Sequence, residues 1–139
     1  AVVQGKLILL VDDSVVRGTT SVRMVRMMCE AGAREVHMRV ASPPIAYPDY
    51  YGIDTPERQA LLAATHTVEE MREFMGVTSL AFLSVDGVYK SVGYERRDPH
   101  RPQFTDHCFT GDYPTRLTDE REKERTAKIE QLSFLAESG

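Results

Sequence analysis

The sequence predicts an α/β fold with a parallel sheet and flanking helices. Two patterns carry that reading. Leu7-Ile8-Leu9-Leu10-Val11 is short and aliphatic, and it ends in two carboxylates, Asp12 and Asp13, just before a helix begins. Residues 35–41 then alternate polar and apolar side chains, which places a second strand after that helix. Strand, helix and strand in this order make a βαβ unit with parallel strands and a right-handed crossover.

The elements follow in order. Residues 6–11 read as a strand buried on both faces, because no polar residue alternates with the aliphatic ones. A helix is expected over 20–31, with Val22, Val25 and Cys29 as an apolar core stripe, Met28 beside them and Gly32 as the stop. Ser42-Pro43-Pro44 ends the second strand, since proline cannot donate to the ladder. After an irregular Tyr- and Pro-rich segment, Thr55 and Pro56 read as the cap and first turn of a helix to about Ala64. Thr67-Val68-Glu69-Glu70 is a capping box for a helix ending at Met75 and Gly76. Residues 79–83 read as strand or extended chain, 84–87 as a turn or helix start, and 94–106 as loop. Thr118 is expected to cap a last helix to about Ala136, with Asp119–Lys123 and Glu124–Lys128 at supportive spacing. Residues 1–115 therefore form the main body and 116–139 a helical extension.

Length and composition bound the function. A chain of 139 residues suggests one domain, and a net charge of −4 gives no general basic surface for nucleic acid. No apolar run is long enough to span a membrane and no signal peptide is visible, so the default location is cytoplasmic. Only two strands are strongly written, and two parallel strands cannot stand alone. The chain therefore reads as truncated at its N-terminus, or as completed by a partner chain.

Val11-Asp12-Asp13-Ser14-Val15-Val16-Arg17-Gly18-Thr19-Thr20 is the segment that carries chemistry. Ligands of open α/β sheets sit beyond the carboxyl ends of the strands, where Asp12 and Asp13 fall. Ionised carboxylates accept hydrogen bonds from a sugar diol or hold a hard cation such as Mg²⁺. Gly18 permits a tight turn, Ser14, Thr19 and Thr20 offer hydroxyls, Arg17 offers charge, and the helix start favours an anion. A ligand with both a diol and a phosphate satisfies the whole set, whereas a plain helix cap would use one acid or hydroxyl. Neither of the common glycine-rich phosphate-loop patterns occurs in the chain.

These residues resemble the phosphoribosyl pyrophosphate (PRPP) motif of type I phosphoribosyltransferases, and this variant is similar to that of the amidophosphoribosyltransferase family. Arg39-Val40-Ala41-Ser42-Pro43-Pro44-Ile45, Tyr51-Gly52-Ile53-Asp54, Thr67-Val68-Glu69-Glu70 and Cys108-Phe109-Thr110-Gly111-Asp112-Tyr113-Pro114-Thr115 agree with the same family. The resemblance implies the C-terminal part of a Rossmann-like type I phosphoribosyltransferase domain. It implies that Asp12, Asp13, Ser14, Val15, Val16, Arg17, Gly18, Thr19 and Thr20 bind PRPP, that Asp12 and Asp13 meet Mg²⁺, and that no catalytic residue lies in this segment. The intact enzyme of that family makes 5-phosphoribosylamine from PRPP and glutamine in the first committed step of purine biosynthesis. Purine nucleotide inhibitors and a homo-oligomer are implied for it. Its glutaminase domain, pyrophosphate loop and lid lie upstream, so this chain alone is expected to be inactive. A non-catalytic PRPP sensor and a base-salvage phosphoribosyltransferase are the alternative readings.

Cysteine and histidine add constraints. Some relatives in that family hold a four-iron cluster on four cysteines. Asp49 and Thr105 stand where those relatives show cysteine and only Cys108 remains, so an iron–sulfur cluster of that kind is not expected. His37 reads as structural, His66 as a helix end and His100 as a loop residue. His107 and Cys108, as neighbours on a strand, would point to opposite faces and make a poor thiol–imidazole pair. Residues 111–115 read as a structural turn.

Overall fold

The computed structural model describes residues 2–115 and Leu117. The expected C-terminal helix lies outside the described residues, as does most of the 116–139 extension. Three strands, β1 (Leu7–Asp12), β2 (Glu35–Val40) and β3 (Ser79–Phe82), form one parallel sheet in the order β1-β2-β3. Helix α1 (Thr19–Glu30) connects β1 to β2, and α2 (Leu62–Thr65) and α3 (Val68–Met75) lie between β2 and β3. Then follow α4 (Val85–Ser91) and the short α5 (His107–Thr110). Of residues 79–83, read from sequence as strand or extended chain, Ser79–Phe82 form the third strand of the sheet.

The register explains the core. Ile8 pairs with Val36, Leu10 with Met38, Leu80 with Met38 and Phe82 with Val40, so one face of the sheet is continuously apolar. Val25 of α1 and Met71 and Met75 of α3 close over it, together with Val15, Leu62 and Val77. The expectation that β1 is buried on both faces is overturned. Leu7, Leu9 and Val11 are 52%, 57% and 71% exposed, because the described helices cover only the opposite face. Their neighbours on that open face in β2 are Glu35, His37 and Arg39.

Local chemistry sets the helix ends. Glu30 is the last residue of α1, and Gly32, at φ +85°, turns the chain so that the Ala33 amide donates to Met28 O at 3.0 Å. α1 packs over β2 and beside α3. The buried face of α1 is centred on Ser21 and Val25, with Val22 and Met28 packed beside it; Cys29 is exposed and is not the core residue expected from the stripe. The capping box of α3 forms as expected: Thr67 Oγ1 accepts from Glu70 N, and Glu70 Oε2 accepts from Thr67 N at 2.7 Å. Ser84 Oγ caps α4 by accepting from Gly87 N. The single helix expected from Thr55 to Ala64 is instead a 3₁₀ turn at Arg58–Ala60 followed by α2. Thr55 is otherwise engaged, its Oγ1 accepting from Asp49 N at 2.6 Å. Among the described residues, no helix is long and apolar enough to cross a membrane.

Candidate functional site

A cleft of about 540 Å³ opens at the carboxyl end of β1, within the range of about 300–1,000 Å³ usual for small-ligand sites. All nine residues singled out from sequence, 12–20, line it. Asp12 ends the strand half-buried and Asp13 lies exposed beside it. Asp13 N donates to Asp12 Oδ1 at 3.0 Å, and the Ser14 hydroxyl donates to Asp13 Oδ1 at 3.2 Å. The remaining carboxylate oxygens make no hydrogen bond among the described residues, so both acids retain acceptor capacity for a ligand.

The loop is held from beneath. Val15 is buried in the core, and Val16 O accepts from Leu62 N at 2.9 Å. Gly18 caps α1 in the left-handed region at φ +74°, and a Cβ there would come within 2.7 Å of Leu62 Cδ2. Glycine is therefore demanded by both conformation and space. No side chain caps α1, and Thr19, Thr20 and Ser21, whose N–H groups at the helix start have no intrahelical partner, line the cleft. With the helix dipole behind them, these donors suit an anion. Arg17 is exposed at the rim.

Ser21, Asp54 and Pro56 also line the cleft and were not singled out as site residues from sequence. Ser21 extends the hydroxyl pair into the first helical turn, a signal visible in the sequence. Asp54 arrives from a segment distant in the chain, and no local pattern announces it.

A second polar cluster lies under that segment. His107 Nε2–H donates to Asp49 Oδ1 at 2.6 Å, and their side chains are 5% and 3% exposed. Asp49 Oδ2 also accepts from Ile53 N and Tyr51 N. The Ile53 amide leads these bonds, which outweigh burial and hold the Asp49 carboxyl below the usual range. His107 and Cys108 sit on a helical turn, not on the strand assumed from sequence. Burial, and then the Asp49 charge, push the Cys108 thiol up. Nearby, Arg97 forms a bidentate pair with Asp106 and reaches Asp112 Oδ2 at 2.6 Å. Burial raises the Asp106 carboxyl, but Arg97 and the Tyr89 and Thr110 hydroxyls outweigh it and hold that group low. Residues 111–115 make local contacts that tie this segment to the rest of the fold. Gly111 ends α5 at φ +73°, the Tyr113 hydroxyl donates to Pro48 O at 2.8 Å, and Thr115 Oγ1 lies 2.7 Å from the Tyr51 hydroxyl.

The other histidines are occupied locally. His37 bonds Ser79 Oγ at 2.7 Å and Glu35 Oε2 at 3.2 Å, a structural bridge from β2 to β3. His66 caps the end of α2 against Thr65 Oγ1, and the His100 amide donates to Asp98 in the loop.

An open parallel sheet whose first strand ends in paired acids and an anion-suited loop is the fold of type I phosphoribosyltransferases. The chain superposes on the glutamine PRPP amidotransferase of Bacillus subtilis, solved in complex with ADP and GMP, with a TM-score of 0.75 and 51% identity over 84% of this chain and 25% of that one. A second solved structure, an allosteric regulatory enzyme of purine biosynthesis, matches with a TM-score of 0.70 and 48% identity over 84% of this chain and 25% of that one. In sequence, the amidophosphoribosyltransferase of Rhizobium etli is 58% identical over the whole of this chain and 28% of its own length. That of Bacillus subtilis is 52% identical over 84% of this chain and 24% of its own length. No protein-family model matches the chain. The chain is a homologue of the amidophosphoribosyltransferases over the C-terminal part of their phosphoribosyltransferase domain. It spans about a quarter of the length of these relatives.

Proposed function

We propose that this chain supplies the ribose- and 5′-phosphate-binding part of an amidophosphoribosyltransferase, which makes 5-phosphoribosylamine from PRPP and glutamine-derived ammonia in the first committed step of purine biosynthesis. The observation that carries this reading is the convergence of residues 12–20 on one cleft at the end of β1. The homology over the same residues supports it.

Asp12 and Asp13 accept hydrogen bonds from the ribose hydroxyls. The N–H groups at the start of α1, the Ser14, Thr19 and Thr20 hydroxyls and Arg17 bind the 5′-phosphate. Ammonia attacks the anomeric carbon as the bond to pyrophosphate breaks, and positive charge develops on the ribose ring. Gripping both the diol and the phosphate fixes that carbon for attack, and the two carboxylates favour the developing charge. The Asp12 and Asp13 oxygens are hard donors that fit Mg²⁺, which when bound offsets the pyrophosphate charge. The relative solved with ADP and GMP supports feedback by purine nucleotides.

Calorimetry with PRPP and with ribose 5-phosphate, with and without Mg²⁺, tests the assignment. The double substitution Asp12→Ala/Asp13→Ala is expected to weaken PRPP binding at least about tenfold, the equivalent of about 1.4 kcal/mol. Equal affinity in a folded double mutant would overturn the role of the two acids. The isolated chain is expected to show no ammonia-dependent turnover of PRPP; turnover that the double mutant abolishes would refute that.

A further inference from the structure

We infer that Asp54 receives the attacking ammonia: its carboxylate accepts a hydrogen bond from the nucleophile and takes up the proton released as the new bond forms. This rests on the PRPP reading above and adds to it a residue outside the 12–20 motif. The residues that line the cleft fall into two groups. Residues 12–21 run without a break through the end of β1, the loop and the start of α1, whereas Asp54 and Pro56 come from a separate segment. A ribose held by its diol on Asp12 and Asp13 and by its 5′-phosphate on the loop uses the first group. Neither grip touches the anomeric carbon, and the wall left to face it is the second group. Proline has no N–H to offer, so Asp54 is the polar side chain of that wall.

The chain around Asp54 is fixed while its carboxylate stays unspent. Both neighbours of Asp54 are pinned by one residue: Ile53 N donates to Asp49 Oδ2 at 2.8 Å, and Thr55 Oγ1 accepts from Asp49 N at 2.6 Å. The Asp49 side chain is 3% exposed and is held in turn by His107 Nε2 at 2.6 Å. Asp54 itself is exposed, and its carboxylate makes no hydrogen bond or ion pair among the described residues. Its acceptor capacity is therefore available to a ligand. An acceptor held in advance on an ordered segment orients a small nucleophile with little reorganisation during the reaction.

The chemistry balances without a further reactant. Ammonia donates one N–H to the Asp54 carboxylate, which leaves its lone pair free for the anomeric carbon. The nitrogen–carbon bond forms as the bond from that carbon to pyrophosphate breaks, and pyrophosphate leaves with the electron pair. The nitrogen then carries three hydrogens and a positive charge. It gives one proton to Asp54, which passes it to water, and the neutral amine remains. Asp54 is on this account a catalytic residue in a segment that the family resemblance implied to hold none.

The test uses the intact protein that carries this chain, in ammonia-dependent synthesis of 5-phosphoribosylamine at saturating PRPP. PRPP affinity is measured by calorimetry on the same samples. Asp54→Asn is expected to lower kcat/KM for ammonia about 10- to 100-fold, the loss of one hydrogen bond to a charged group. It should leave Kd for PRPP within about twofold, as for a surface change away from the ribose grip. Asp54→Glu keeps the carboxylate and should recover part of the rate, whereas a purely structural role would favour Asn, the closer match in size. Circular dichroism checks that each variant folds. Unchanged kcat/KM for ammonia in Asp54→Asn would overturn the inference. So would a loss of PRPP affinity equal to the loss of rate, which would place Asp54 on the ribose. A folded wild type that binds no PRPP would instead overturn the reading on which the inference rests.

Discussion

Two residues show how single side chains hold this structure. Gly18 stands where the loop of the cleft enters α1, in a left-handed conformation and pressed against Leu62. Gly18→Ala adds backbone strain and a steric conflict, and is expected to cost about 2–4 kcal/mol in chemical denaturation. It should also weaken PRPP binding, because the displaced residue belongs to the loop. Asp106 is the second case. It is 7% exposed and takes two hydrogen bonds from Arg97, which is 13% exposed, and one from Tyr89 at 2.9 Å. Removing it strands a largely buried guanidinium with Asp112 alone, so Asp106→Ala should cost about 3 kcal/mol in the same measurement. The folded carboxyl titrates below its unfolded value of about 3.9. Its contribution is therefore complete above that pH and is lost as the pH falls through the lower, folded value. Acid unfolding followed by circular dichroism should show this loss in the wild type and a flatter acid limb in Asp106→Ala.

Elements whose determinants are local were legible from sequence. The capping box of α3 needs only residues 67–70, and Gly76 stops the helix in the left-handed conformation expected of a C-terminal glycine. Thr67→Ala should lower stability by about 1 kcal/mol, measured by thermal or urea unfolding, because Glu70 N loses its acceptor. Misread elements depend on distant partners. Thr55 was available as a helix cap until Asp49 claimed its hydroxyl from six residues away, and the helix expected there divided into a 3₁₀ turn and α2. Residues 107–110 carry no helix signal, yet His107 is drawn to Asp49 across 58 positions and the turn closes behind it. Cys29 has the spacing of a core residue, but α1 buries the face that carries Ser21 and Val25 and leaves Cys29 in solvent.

At the scale of the whole molecule, the sheet has one covered face and one open face. β1 is an edge strand among the described residues, and Leu7, Leu9 and Val11 form an apolar row beside its free edge. An exposed, apolar edge invites pairing with another chain. The 139-residue chain is therefore expected to self-associate with rising concentration in light scattering. Leu9→Lys should suppress that association with a stability change within about 0.5 kcal/mol, since its side chain does not enter the core. Unchanged association in Leu9→Lys would show that another surface is responsible.

By itself the sequence determined the βαβ start, the acids at its strand end, the loop of the cleft and the capped helix α3. Each rests on neighbours within a few positions: strand aliphatics, a glycine turn, a hydroxyl three residues from an acid. Only the tertiary structure decided which face of β1 is covered, that Asp54 reaches the cleft, and that Asp49, His107 and Cys108 meet. Those outcomes depend on the path of the chain through space, and short-range spacing carries no record of contacts made across 58 residues.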